Sequence, residues 1–113
     1  MYRKKGRKRL MLDSNLIKQL IKERSELHLN DPKGYDFWER LTELLSANTL
    51  ETIEFFEACT EQEAYWLSEI FEDISARVNS RDFIECIKRV DRKYPELQLS
   101  KDIRVAEDFM DRT

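Results

Sequence analysis

Only four residues in this chain are glycine or proline: Gly6, Pro32, Gly34 and Pro95. Strand reversal in a sandwich or barrel draws on these residues at almost every hairpin, because they supply the turn backbone angles that others resist. Two Gly and two Pro among 113 residues leave too little turn chemistry for many strands, so the chain is expected to be all-α. That length suits one domain with one core. A hydrophobic fraction of 41%, with 2 Trp, 4 Tyr and 6 Phe, supplies that core despite 38% charged residues.

Apolar spacing predicts about six short antiparallel helices over residues 13–113, behind a basic flexible tail at 1–12. Leu16, Ile17, Leu20, Ile21 and Leu27 carry the first helix from Asp13 or Ser14 to about His28, where the LNDPKG run ends it. Asp36 and Glu39 form an acidic variant of the capping box for a second, with Phe37, Trp38, Leu41, Leu44 and Leu45 inward and Asn48 at its end. Thr49 caps a short third helix with Leu50, Ile53 and Phe55 or Phe56 inward. Thr60 and Glu63 match the S/T-x-x-E capping box, which predicts a fourth helix from 61 to about 78. Ser80 caps a fifth, with Phe83, Ile84, Ile87, Val90 and Tyr94 inward until Pro95. Ser100 caps a sixth, with Ile103, Ala106, Phe109 and Met110 inward. Such helices pack as a bundle or as a short HEAT-like array, and no fixed-period repeat selects the array.

The formal charge of -3 conceals a segregation. Residues 3–9 hold six cations, whereas residues 41–76 hold Glu43, Glu51, Glu54, Glu57, Glu61, Glu63, Glu69, Glu72 and Asp73 and no base. Like charges without an i,i+4 Lys or Arg cost a few tenths of a kcal/mol per pair, so a purely structural surface mixes its signs. On a helical wheel started at Leu67, the residues Phe71, Ile74 and Val78 fall within about 40° of it, with Ile70 about 60° and Trp66 about 100° to one side. Tyr65, Glu69, Glu72 and Asp73 lie opposite. A hairpin of the third and fourth helices would add Glu54, Glu57 and Glu61 to that face. Clustered carboxylates around an exposed Tyr and a flanking Trp suit docking of a basic protein partner.

Catalytic chemistry is missing. His28 is the only histidine, and it is expected to serve the C-terminal end of the first helix. No Glu-x-x-His pair, Gly-rich phosphate loop or Cys-x-x-Cys occurs, so no catalytic, cofactor or metal site is expected and the chain is not expected to be an enzyme. Cys59 and Cys86 are expected to be buried thiols on separate helices. The one apolar run after the basic opening is Leu10, Met11, Leu12, and nothing approaches the roughly 18 apolar residues of a membrane span, so a cytoplasmic protein is expected. The cations at 3–9, with Tyr2, leave an alternative: an adaptor or regulatory protein that contacts nucleic acid through its basic tail.

The run EFFEACTEQEAYWLSEIFEDIS, followed by FIECIKRVDRKYPELQLSKDIRVAE, resembles small helical immunity proteins encoded beside bacterial polymorphic or contact-dependent toxins. The resemblance covers about residues 50–107. Its marks are the acidic stretch from Trp66 to Ile74, then Lys93, Tyr94 and Pro95, and the closing Asp102 and Ile103. It implies a protein without catalysis that binds a cognate toxin domain, often a nuclease, through Glu69, Glu72 and Asp73 with Tyr65 and Trp66.

Overall fold

The computed structural model describes residues 12–28 and 30–110, and every regular element among them is helical. The basic residues 3–9, and with them the nucleic-acid reading, lie outside that range. The order is α1 (Ser14–Ser25), α2 (Lys33–Leu45), α3 (Thr49–Ala58), α4 (Glu61–Leu67), a 3-10 turn (Ser68–Ile70), α5 (Phe71–Val78), α6 (Arg81–Lys93), a second 3-10 turn (Pro95–Leu97) and α7 (Ser100–Met110). The expected fourth helix is thus present as α4 and α5, joined through the 3-10 turn.

Caps explain most boundaries. Asp13 accepts from the Leu16 amide at 3.1 Å, and Ser80 accepts from Phe83 at 3.2 Å. Thr60 and Glu63 form the reciprocal capping box, with bonds of 2.9 and 3.1 Å. Other boundaries move. Asn48 does not end α2 but caps α3, its side chain accepting from Glu51 at 3.1 Å, and Thr49 becomes the first residue inside. The second helix starts three residues before Asp36, because Pro32 presets a helical φ of -61° and Asp31 accepts from the Lys33 amide at 2.9 Å. α1 closes at Ser25 through the bonds from Glu26 to Glu23 and Leu27 to Arg24, so His28 lies beyond it and its Nδ1 accepts from the Asn30 amide at 3.3 Å. Asn79, at φ 47°, ends α5 in the left-handed conformation that Asn tolerates among non-glycine residues.

Helices two apart in the order pack together: α2 on α5, counting α4 and α5 as one, α3 on α6, and α5 on α7. α1 also packs on both α2 and α4, which closes the assembly into one all-α bundle around one apolar cluster. At its centre Phe56 meets Phe71 and Phe83 edge to face, both at 5.7 Å between ring centres. Those three rings tie α3, α5 and α6 together, and each such pair adds about 0.5–1.5 kcal/mol beyond burial. Thr52 replaces the expected Leu50 on the inner face of α3: its hydroxyl donates to the Leu45 carbonyl at 2.6 Å, while Leu50 is 73% exposed. Ser75, fully buried, likewise donates to the Ala106 carbonyl at 2.6 Å and links α5 to α7. Cys59 and Cys86 are buried free thiols. Among the described residues no helix is long and apolar enough to cross a membrane.

Candidate functional site

The acidic face is built by α4, its 3-10 turn and the start of α5. Leu67, Phe71 and Ile74 are fully buried and Ile70 nearly so, which drives Tyr65, Glu69 and Asp73 outward. Ser68 donates to the Tyr65 carbonyl at 2.7 Å, a back-bond that competes with the helical ladder where the 3-10 turn begins. Three residues wound at 120° instead of 100° rotate α5 by roughly 60° relative to an uninterrupted helix. Asp73 is thereby carried farthest from the bearing of Tyr65, into a hollow with Trp38 and Glu39 of α2 and Arg77 of α5, while α5 packs against α7, whose first turn carries Asp102.

The electrostatics register that meeting. Burial pushes the Glu69 carboxyl above its ordinary value; Arg24 draws it back and Asp102 adds to the rise. For Glu72 burial comes first, and repulsion from Asp73 and from Asp102 acts in the same direction. Burial raises Asp102 as well, against the pull of Lys101. Among the described residues none of Glu69, Glu72, Asp73 and Asp102 makes an ion pair. Asp102 thus adds its charge to Glu69 and Glu72 with no ion pair to any of the three among the described residues, and the Tyr65 ring on the preceding turns is 54% exposed.

Three residues expected on this face meet other surroundings. Glu57 pairs with Arg89 of α6 at 2.9 Å. Glu54 lines a hollow with Leu12, Ser14, Lys18, Glu51, Phe55 and Ala58. Glu61 is exposed at the start of α4. The physical reason is that α3 packs on α6 and α4 on α1, so α3 and α4 do not close the hairpin that would merge their acids. Partners from distant helices also neutralise part of the base-free block, for Lys18 holds Glu63 at 2.9 Å. Asp102 was absent from the expected site, and no local signal marks a residue 29 positions beyond Asp73.

Trp66 is half-buried and packs against two other aromatic rings. Its ring meets Tyr65 at 5.2 Å and 77°, and Trp38 of α2 at 6.4 Å and 37°. The Arg24 guanidinium lies against both indoles, with Cζ 5.0 Å from the Trp38 centre and 5.3 Å from that of Trp66. Arg24 is only 5% exposed, and among the described residues its Nε and Nη1 have no hydrogen-bond acceptor. Each unmet buried donor costs about 1–3 kcal/mol, whereas a desolvated cation over an indole gains about 2 kcal/mol or more. The two rings thus help to offset a buried charge that makes no ion pair among the described residues.

Among the described residues there is no group of three or more His, Cys, Asp or Glu side chains disposed to hold a metal ion. Compared with known proteins, the chain matches no family model, no curated protein and no solved structure.

Proposed function

We propose that this protein is a non-catalytic binding module, an inhibitor of the immunity-protein kind, whose acidic aromatic face neutralises a basic protein domain such as a nuclease toxin. The observation that carries the reading is that Asp102 adds its charge to Glu69 and Glu72, none of the three in an ion pair among the described residues, on the run of α4 and α5 that also displays exposed Tyr65. Folding alone gives no reason to gather these acids, since their mutual repulsion and partial burial both oppose the charged form. A basic partner reverses both terms: it supplies the missing cations, and the desolvation of the carboxylates strengthens the attraction once water is excluded. Tyr65 then provides an amphipathic anchor of low side-chain entropy. The substrate-binding surface of a nuclease is electropositive because it receives phosphates, so a row of carboxylates on a fixed helix competes for the same cations.

The test is retention from a nuclease-treated lysate of the source cell on the immobilised full chain. A single basic protein held at moderate salt by the wild type, and released by the combined variant Glu69→Lys, Glu72→Lys, Asp73→Lys, supports the reading. A matched variant with Lys at the exposed positions Glu26, Glu96 and Asp108 carries the same change of net charge and should retain the partner. Equal retention by wild type and the Glu69, Glu72, Asp73 variant, both helical by circular dichroism, removes this face from the function.

A further inference from the structure

Arg24 raises a separate question, independent of the acidic face. A guanidinium carries five N–H donors in a fixed plane and stays charged at any physiological pH. Side chains of this kind are buried only when paired, yet this one lies against the adjoining rings of Trp38 and Trp66, and its Nε and Nη1 are without acceptors among the described residues. The carboxylates within reach are otherwise engaged or too far to pair. Asp31 accepts from the Lys33 amide and shapes the turn into α2, and Glu69 feels the charge of Arg24 but makes no ion pair with it.

Space adjoins this cation. Arg24, Asn30, Asp31, Gly34, Tyr35 and Trp38 line a cavity of about 250 Å³ at the start of α2. Gly34 lets the backbone of α2 come close to the guanidinium: a Cβ there would stand 3.3 Å from Nε and 3.4 Å from Cζ. Tyr35 and Trp38 also line a second hollow, of about 460 Å³, between α2 and α5. Tyr35 is 79% exposed, so its ring is available as a wall or a flap rather than as core.

We propose that Arg24 and this cavity bind a carboxylate that carries an apolar or aromatic group. The planar fork of the guanidinium matches a carboxylate, which it meets by turning its enclosed Nε and Nη1 toward the cavity, and Asn30 adds an amide able to donate. Asp31 and Glu69 close by disfavour a multiply charged phosphate and favour a monoanion. Trp38 and Tyr35 provide the apolar wall for the body of the ligand. The carboxylate belongs either to a free small acid or to the C-terminus of a peptide, and the chemistry at Arg24 is the same for both.

The experiment uses the full chain, labelled with ¹⁵N, and follows the Arg24 Nε–H and the two Trp indole N–H signals. Phenylacetate is titrated first, then phenylacetamide, then an acetylated peptide ending in Phe with its C-terminus free or amidated. Saturable shifts at Arg24, Trp38 and Trp66 with either carboxylate, absent with both amides, support the site. Tighter binding of phenylacetate identifies a small acid as the ligand, and tighter binding of the free-ended peptide identifies a chain terminus. Arg24→Lys keeps a charge against the indoles but loses the fork, and it should weaken binding at least tenfold. Gly34→Ala, whose Cβ presses on the guanidinium while the Arg side chain stays, guards against misfolding of the first variant and should also weaken it. No saturable shift in a folded protein, or an equal response to the amides, overturns the proposal.

Discussion

Replacing Glu72 by Gln should stabilise the protein at neutral pH and low salt, because Gln keeps the shape of the side chain and removes the charge that its surroundings oppose. Burial, Asp73 and Asp102 all raise the Glu72 carboxyl above its ordinary value, and no cation offsets them. A group whose folded-state pKa is raised contributes stability that is present below its unfolded pKa and is lost as the pH rises through its folded value. Wild type therefore bears the whole penalty at pH 7, and the variant bears none. Two like-charge neighbours at a few tenths of a kcal/mol each, in a largely solvated position where screening keeps the burial contribution small, give about 0.5 kcal/mol. For a chain of this size that corresponds to a rise of about 2 °C in Tm. Thermal unfolding followed by circular dichroism at pH 7 and again below the carboxylate range measures it. The gain should shrink as the wild-type carboxyl protonates, and also as salt rises and screens the neighbours. A variant that melts at or below the wild type at pH 7 in low salt, or a gain that persists unchanged in acid, refutes the picture of an acidic cluster gathered against the preference of the fold. If the same substitution also weakens partner binding, stability and function are in opposition at this site, as the proposed role requires.

Two further outcomes follow from the core. Phe56→Ala removes the ring shared by α3, α5 and α6 and should cost about 3–5 kcal/mol, read as a shift of the urea midpoint without a change of slope. Burial, above all, pushes the Cys59 and Cys86 thiols up to about 11 from 9.0. Near pH 8 they should react with an aromatic disulfide reagent about 100-fold more slowly than in urea, through their lower thiolate fraction as well as restricted access. Reaction at the unfolded rate would show that these thiols are not enclosed.

The helical class was legible in the sequence, since two Gly and two Pro exclude a fold made of turns and since caps act over three residues. The capping box at Thr60 and Glu63, the buried line of Leu67, Phe71 and Ile74, and the outward ring of Tyr65 needed only local periodicity. Where two local signals competed, tertiary context chose between them. Thr52 rather than Leu50 turned inward on α3, because the Leu45 carbonyl offered a buried partner for its hydroxyl. Pairing across helices was not legible at all. Sequence placed Glu57 with the acidic face, and the packing of α3 on α6 gave it to Arg89 instead. Asp102 joined Glu69 and Glu72 only because α7 lies against α5, and Arg24 reached the rings of both Trp38 and Trp66 only because α1 packs on both α2 and α4. Caps and periodicity are short-range and written in neighbouring residues; a charge takes its partner from whichever helix arrives beside it, and that is decided by how the apolar faces close.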